Sequence, residues 1–575
     1  MKIISTLSYS ILLLVSLFIK TDKTFAQSPS WIWAKSMGST NNMDYGFSVS
    51  TDNIGDSYYT GTFSGTVDFD PGPGVFNLTS PPLWSCFISK LDSYGNLVWA
   101  YSVDTAQGSK ITLDAAGNVY ITGWFYGTSD FDPGPGIYNL TSGAAASIFI
   151  TKVDNGGNFI WAKRICGASG NDASYGIAID TGSNEAVFIT GEFDQTEDFD
   201  PDTGVYNLTP AGNEDIFICK LDGSGNFVWA RKIGGISQDC IGWDIAIDPS
   251  GSGGIYSTGE FSGTVDFDPG PGVYNLTGGG AFISKIDSSG NFVWAKKVNG
   301  SYGYGIGIEP SGTNTVYITG EFYGTVDFNP DSVAVFNMAS AGSFDAFILK
   351  LSPTGDFIWA NEMGGSGGLD AGKDIFIDYS GNVYSTGTFG GLADFDPGAG
   401  SYNIGSNGLR DIYVSKLDSS GSFQWAKRIG GTQEDFAMGL ALDPLNNVLL
   451  TGYYRSPNMA VGSTTLTNSG GTTWESDIFM AKLDHLLTGI ESVTYSNEIS
   501  IIPNPVTDKL TILNNKKSQI DRIEIYDVLG KKLIQNGFSE KNDGYVIDVS
   551  QLSSGLYSVI IYTEKARSAM KLLKL

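Results

Sequence analysis

The sequence predicts an all-β protein. Its bulk is a seven-bladed β-propeller with four-stranded blades and an extra hairpin insert, followed by a small β-sandwich. Three observations carry this. Seven Trp-Ala pairs recur along the chain. Each interval between them holds four strand-like stretches. The two ends of the array carry one unpaired strand each.

The Trp-Ala pairs begin at Trp33, Trp99, Trp161, Trp229, Trp294, Trp359 and Trp425, at spacings of 66, 62, 68, 65, 65 and 66 residues. A period of that size marks a repeat architecture. The unit after Trp229 shows its parts. Trp243–Asp248, Gly254–Phe261, Ala281–Ile286 and Phe292–Val298 read as four strands. The turn Asp287-Ser288-Ser289-Gly290-Asn291 between the last two has the residues a tight hairpin needs. Four antiparallel strands per unit make a propeller blade. The array opens with a lone fourth strand, Trp31–Lys35, and ends with a lone third strand, Ile478–Leu483. Pairing them completes a blade and removes two bare edges. Closure into a ring over residues 27–485 is therefore expected.

Composition agrees. The 575 residues include 75 Gly, with 13% aromatic and 17% charged residues, which suits short strands and Gly-rich turns rather than helices. The net charge is −27. Nucleic-acid binding needs a basic patch, and none lies outside the C-terminal segment. Residues 499–575 hold eleven Lys/Arg against eight Asp/Glu, a net of +3, leaving −30 for the rest. That asymmetry marks a separate unit.

Residues 1–26 read as a signal peptide. Lys2 precedes the apolar run Ile11–Ile19, which is too short to span a bilayer, and Thr24-Phe25-Ala26 offers small residues for cleavage before Gln27. No later segment has the length and apolarity of a transmembrane helix. Residues 486–498 read as a linker. The cysteines Cys86, Cys166, Cys219 and Cys240 contain no CxxC pair. Cys219 reads as a buried strand residue. Cys166 and Cys240 are the better placed for a disulfide, since each follows a Trp-Ala anchor.

Two families are resembled. The run Gly-Asn-Val-Tyr-x-Thr-Gly, then Phe-Ile-x-Lys-Leu-Asp-x-x-Gly-Asn-x-x-Trp-Ala, resembles the bacterial SBBP β-propeller repeat, a family known by architecture more than by activity. The last 80 residues resemble the type A sorting domain of the type IX secretion system of Bacteroidota. The matching elements are Pro503-Asn504-Pro505, Tyr526-Asp527-Val528-Leu529-Gly530-Lys531, Leu552-Ser553-Ser554-Gly555-Leu556-Tyr557 and the Lys571 tail. Pro503, Asn504, Pro505, Gly530, Gly555, Tyr557 and Lys571 are thereby the sorting-signal residues. The resemblance implies the type IX machinery as a partner and a secreted or surface-attached product.

The chemistry-bearing residues lie in the repeats. Between the second and third strands sits an insert, seen at Thr264–Thr277, that reads as an extra hairpin. Five copies carry Asp pairs: Asp68 with Asp70, Asp130 with Asp132, Asp198 with Asp200, Asp266 with Asp268, and Asp394 with Asp396. A sixth has Asp327 with Asn329. Two readings stand. Residues two apart on a strand face one side and can offer oxygens to calcium. Alternatively, Asp-Pro-Gly turns the hairpin, with the carboxylates capping backbone N–H groups and Phe267 and its equivalents packed inward. The seventh copy is expected to lack the insert, because Thr451-Gly452-Tyr453-Tyr454 runs directly into Arg455-Ser456-Pro457-Asn458.

A second set follows Thr-Gly on the second strand: Thr62, Trp124, Glu192, Glu260, Glu321, Thr388 and Tyr453. Variation inside a fixed framework suits a ligand surface, with Trp124, Glu192, Glu260 and Glu321 the chosen members. The competing reading is ordinary blade packing, and Trp84, Trp243 and Trp474 share that ambiguity. Catalysis is not expected. His485 is the only histidine, which disfavours Ser-His-Asp, Cys-His and multi-His zinc sites. The Asp pairs recur, so none is singled out as the acid and nucleophile of a glycosidase. The function expected is a non-catalytic binding or display scaffold for an extracellular protein or glycan. An extracellular polysaccharide hydrolase and a surface-layer component are the rivals. No cofactor beyond calcium is suggested.

Overall fold

The computed structural model describes residues 29–484 and 499–574, apart from short stretches at 41, 82, 168–169, 181–184, 237–239, 332–333, 471–473, 503–505, 515–519, 527–531, 536–537, 542–543, 554 and 564–566. The signal peptide, His485, the linker, Pro503, Asn504, Pro505 and Gly530 lie outside the described residues. So do the side chains of Cys166 and Lys571, and with the former the Cys166–Cys240 pairing.

The described residues are all-β, and between Trp31 and Leu483 their strands form seven antiparallel sheets of four or more strands and five separate two-stranded hairpins. The inner strands are Tyr45–Thr51, Ala106–Leu113, Ala173–Ile179, Ile241–Ile247, Ser301–Ile308, Ala371–Ile377 and Asp435–Leu442. Each sheet runs outward from its inner strand through the second, third and fourth strands. Each inner strand packs on the next, and the seventh packs on the first, so the contacts close a cycle. This is a β-propeller.

The closing sheet is made as expected. Trp31–Met37 pairs antiparallel with Asp477–Leu483, with Ala34 opposite Ala481 and Met37 opposite Ile478. The same interactions that join other sheets then cross the junction. In five sheets the Trp-Ala indole N–H donates to a turn carbonyl of the following sheet: Trp99 to Asn155 at 3.0 Å, Trp161 to Gly223 at 3.3 Å, Trp229 to Ser288 at 3.2 Å and Trp294 to Pro353 at 3.1 Å, with Trp33 reaching Ser93 at 3.4 Å across the closure. The third-strand lysines do likewise: Lys220 reaches Ser288 O, Lys285 reaches Pro353 O, and Lys482 reaches Ser93 O. The repeated Trp and Lys thus join one sheet to the next.

The Thr-Gly pair explains itself in the same way. The threonine hydroxyl donates to a third-strand carbonyl, as Thr258 does to Phe282 at 2.8 Å and Thr60 to Phe87 at 2.8 Å. The glycine lies under an inner-strand carbonyl. A Cβ on Gly259 would sit 1.9 Å from Ile241 O, and one on Gly320 would sit 1.8 Å from Tyr302 O. No side chain fits there.

The inserts are hairpins in all seven sheets. Thr66–Asp68 pairs with Asn77–Thr79, and Leu392–Asp394 pairs with Asn403–Gly405. In the fourth sheet the insert merges with the blade, giving 12-residue strands Ile255–Asp266 and Asn275–Ile286. Gly278, Gly279 and Gly280 allow this with φ of 119°, 134° and 123°. The seventh copy corrects the expectation. Asn458–Val461 pairs with Thr464–Thr467 through a turn at Gly462, so an insert is present without its Asp-Pro-Gly signature. Met459, Val461 and Leu466 bury its inner face instead.

Inserts also tie neighbouring sheets together. The hairpin of the third copy joins the outer strand of the second, with Cys166 opposite Asp198 and Gly167 opposite Glu197. Gly234 bridges to Asp266, and Gly364 bridges to Asp394. An ion pair, Lys163–Asp202 at 2.5 Å, reinforces the first of these seams, and another, Lys296–Asp331 at 2.7 Å, ties the fifth insert to the fourth sheet.

Residues 499–574 form two four-stranded sheets around a separate apolar core that includes Leu510, Ile512, Ile523, Ile547, Val559 and Leu572. Gly555 opens the strand Gly555–Thr563, and buried Tyr557 donates its hydroxyl to Ser553 O at 2.8 Å. Lys571 lies opposite Ser558 in register. Among the described residues no helix is long and apolar enough to cross a membrane.

Replacing Trp33 with alanine is expected to destabilise the protein by about 2–4 kcal/mol. Ile32→Ala on the same strand, at a half-exposed position, should stay within about 0.5 kcal/mol. Urea denaturation checks both; equal effects would show that the closing strand does not hold the ring.

Candidate ligand-binding mouth of the central channel

Every inner strand carries a β-bulge near its start. The register shifts between Gly46 and Ser48, Gly108 and Lys110, Ser174 and Gly176, Gly242 and Asp244, Gly303 and Gly305, Gly372 and Asp374, and Ala437 and Gly439. The residue left over in each case is Phe47, Ser109, Tyr175, Trp243, Tyr304, Lys373 or Met438. A bulge re-aims its side chain away from the ladder. The same geometry thus presents seven side chains of six kinds around one end of the central channel. Sequence reading singled out Trp243 of this set and missed the other six. Its signal was available: a large or variable residue between small ones, as in Gly242-Trp243-Asp244 and Gly372-Lys373-Asp374.

Three of the residues proposed from sequence join this ring. Glu192 Oε1 accepts from Tyr175 at 2.7 Å, Glu260 Oε1 from the Trp243 indole N–H at 3.3 Å, and Glu321 Oε1 from Tyr304 at 3.0 Å. The rings pack side by side, Tyr175 on Trp243 at 4.6 Å and Trp243 edge-on to Tyr304 at 6.1 Å. Lys373 Nζ stands 3.6 Å from the Tyr304 ring centroid, in the position for a cation–π contact. Burial lowers its pKa against the pull of Glu321. Trp124 falls into a different cluster, edge-on to Trp84 at 6.0 Å and to Tyr126 at 5.4 Å. Trp474 is 75% exposed.

One step further along the inner strands, charges cross the channel. Lys110 of the second sheet lies 3.4 Å from Asp244 of the fourth and 3.5 Å from Asp374 of the sixth. Both carboxylates also bind backbone: Asp244 accepts from Ile306 N at 3.2 Å, and Asp374 from Leu440 N at 2.8 Å. Burial works against the Lys110 charge, but the two carboxylates outweigh it and hold its pKa above the usual value. At the opposite end lies a cavity of about 490 Å³ lined by Thr51, Ile308, Phe376, Tyr379, Leu442 and Pro444 among others.

The insert carboxylates are bonded within their own hairpins. Asp266 Oδ1 accepts from Asp268 N at 3.0 Å and Tyr274 N at 2.8 Å, while Asp268 Oδ1 accepts from Gly270 N at 2.8 Å. The other four pairs repeat the arrangement. The first carboxylate of each takes two backbone N–H groups: Asp68 from Asp70 and Phe76, Asp130 from Asp132 and Tyr138, Asp198 from Asp200 and Tyr206, and Asp394 from Asp396 and Tyr402. The second takes one. Asp70 Oδ1 accepts from Gly72 N at 2.8 Å, Asp132 Oδ1 from Gly134 N at 2.7 Å, Asp200 Oδ1 from Asp202 N at 3.0 Å, and Asp396 Oδ1 from Gly398 N at 2.9 Å. The residue between them is buried: Phe267 packs on Phe261 at 5.3 Å and on Phe282 at 5.2 Å.

These bonds are the capping role that the sequence offered as one of its two readings: Asp68, Asp70, Asp130, Asp132, Asp198, Asp200, Asp266, Asp268, Asp394 and Asp396 each commit one oxygen to their own turn, in the manner of Asx turns. Among the described residues no group of three or more His, Cys, Asp and Glu side chains is arranged to hold a metal ion.

Comparison with known proteins places the tail. Residues 500–574 match the Secretion system C-terminal sorting domain. The sorting domain marks the chain for export to the cell surface or the extracellular space. Elsewhere the likeness is distant. An uncharacterized WD repeat-containing protein of Acanthamoeba polyphaga mimivirus is 24% identical over 464 residues, 66% of this chain and 32% of the relative, so the chain spans about a third of that protein's length. Among solved structures, the Dos1 propeller aligns over 95% of this chain and 96% of its own at 8% identity, with a TM-score of 0.34. A gluconolactonase of Xanthomonas campestris, XC5397, aligns over 64% of this chain and 90% of its own at 12% identity, with a TM-score of 0.25.

Two outcomes follow from this geometry. Burial pushes Glu192 up to about 7, and the nearby Glu214 and Glu260 add to the rise. A carboxyl raised in the folded state binds its proton more tightly there than in the unfolded chain. Its contribution is therefore intact below the unfolded value near 4.5 and is lost as pH rises through about 7. Glu192→Gln should be more stable than the parent at pH 8, by roughly 2 kcal/mol, with the gap closing at pH 4 to 5; melting curves across pH check it. Asp266→Ala should cost about 1–3 kcal/mol, whereas Asp266→Asn keeps an acceptor oxygen and should cost under about 1 kcal/mol. Chemical denaturation measures both.

Proposed function

We propose that this chain is an exported, closed seven-bladed propeller that works as a non-catalytic binding or display scaffold at the cell surface or outside the cell. One observation supports this most. Seven equivalent bulges hold one backbone geometry while their side chains differ from sheet to sheet. Packing roles repeat in this chain, as the Trp-Ala, Thr-Gly and Asp-Pro-Gly positions do. A position that varies inside such a framework is free to serve recognition.

The partner is an extracellular protein or glycan that meets the mouth. Tyr175, Trp243 and Tyr304 offer aromatic surface, while Glu192, Glu260, Glu321 and Lys373 offer polar groups for orientation. The acidity of the chain outside its tail keeps it soluble and favours partners with basic character. The tail delivers the scaffold through the type IX machinery.

The test is retention of the mature protein on arrays of glycans and envelope proteins. Binding without turnover is expected, and Trp243→Ala should weaken it at least tenfold while the melting temperature stays near that of the parent. Release of reducing sugar from any retained glycan would overturn the non-catalytic reading and favour the hydrolase. Binding unchanged by Trp243→Ala would overturn the mouth as the site. A chain truncated before residue 499 should accumulate inside the outer membrane, as cell fractionation would show.

A further inference from the structure

The first strand of each insert carries one inward-facing residue. It is Val67, Ser129, Glu197, Val265, Val326, Ala393 or Met459, and all seven are buried. Six are apolar or small. Glu197 is the exception, and it lies in a seam. The third insert extends the second sheet by setting Glu197 opposite Gly167 and Asp198 opposite Cys166.

Asp172 lies against Glu197. It precedes the third bulge by three residues, as Asp44, Asp370 and Asp435 precede theirs. Those three spend both oxygens on backbone N–H groups. Asp44 accepts from Ser39 N and Ser64 N, Asp370 from Gly365 N and Gly390 N, and Asp435 from Gly431 N and Ser456 N. Asp172 Oδ1 and both oxygens of Glu197 are buried without such a donor, and the two carboxyls meet each other instead. The loop before Asp172 closes over the contact, since a Cβ on Gly170 would lie 3.2 Å from Glu197 Oε1.

Two ionised carboxylates can only accept, so this contact becomes a hydrogen bond when one of them carries a proton. Nothing basic among the neighbouring charges takes the proton's place. Asp194, whose Oδ1 accepts from Asn171 N at 3.1 Å, and Asp198 add negative charge. On the outer strand that the insert joins, Lys163 is paired with Asp202 and Arg164 donates to Thr141 O. Like charges this close in a buried place cannot both stay ionised. Burial, then the acidic neighbours, raise the pKa of both carboxyls.

We propose that Asp172 and Glu197 share a proton and form a proton-dependent clasp on the third insert. A carboxyl–carboxylate hydrogen bond holds the insert against the strand that enters the third sheet. When the proton leaves to water, two facing carboxylates remain, and their repulsion opens the seam with the second sheet. A carboxyl raised in the folded state binds its proton more tightly there than in the unfolded chain. The clasp is therefore complete below the ordinary values of 3.8 and 4.5 and is lost as pH rises through the raised folded values.

Hydrogen–deuterium exchange of the full mature chain tests this, read on the peptides that hold Cys166 and Gly167 and those that hold Glu197 and Asp198. Glu197→Gln gives Asp172 an amide donor that no pH removes. Glu197→Val places the residue that stands at this point in three other sheets, so the fold accepts it. At about pH 6 the parent and Glu197→Gln should protect the seam alike, and at about pH 10 the parent should exchange there at least about tenfold faster. Glu197→Val should keep its seam protection relative to Glu197→Gln at both pH values. The peptide that holds Val265 in the fourth insert should behave alike in all three chains. Equal seam exchange of the parent and Glu197→Gln at the higher pH would overturn the clasp. So would an alkaline loss of seam protection that Glu197→Val shares with the parent.

Discussion

The close approach of backbone to backbone at Thr-Gly governs this molecule. In each sheet an inner-strand carbonyl presses onto the glycine of the second strand, within 1.8 to 2.0 Å of where a Cβ would stand. The adjacent threonine turns its hydroxyl to the third strand and presses its side chain against the next sheet. Thr258 Oγ1 would meet a Cβ on Gly303 at 2.5 Å, and Thr319 Oγ1 one on Gly372 at 2.0 Å. Two features follow from this crowding. The inner strands lie close enough to pack around a narrow channel, and the crowded carbonyls coincide with the bulge that aims one residue per sheet at its mouth. Adding a methyl group at any of these glycines would push a sheet out of the ring.

The remaining repeated residues act mainly between sheets. Trp-Ala indoles and third-strand lysines grip the turn of the following sheet, and the third insert pairs with the outer strand of the preceding one. Because Trp33 and Lys482 make the same contacts across the closure, the junction of chain ends is a seam like the others. Packing is spread evenly over the ring. That leaves the mouth and the buried pair Asp172 and Glu197 as places where side chains depart from the repeat, and departure from a repeat is where specific chemistry is to be sought.

The insert shows a repeated acidic signal with a local structural role. Each first Asp of the repeated pairs receives two backbone N–H groups from its own hairpin, as Asp130 does from Asp132 and Tyr138. The second members Asp70, Asp200 and Asp396 likewise spend an oxygen on the turn that follows them. Glu197 differs from these: it stands where the other inserts carry apolar or small residues, and both its oxygens are buried beside Asp172. The absence of Asp-Pro-Gly in the seventh copy also hid a hairpin, since Met459 and Leu466 bury its face without the signature.

Strand content, the repeat, the pairing of Trp31–Met37 with Asp477–Leu483 and the sorting tail were all legible in the residues alone. These depend on local periodicity, turn residues and motifs of fixed spacing, which are properties of neighbours along the chain. Glu192, Glu260 and Glu321 could also be placed at variable positions in that way. What those residues meet became visible in three dimensions. Tyr175, Trp243 and Tyr304 reach them because bulges turn side chains toward the channel, and a bulge is a mismatch between two strands that neither strand shows alone. Lys110 meets Asp244 and Asp374 across more than a hundred residues, because ring closure sets second, fourth and sixth sheets face to face. Such contacts are fixed by the geometry of the circle, and no local pattern records them.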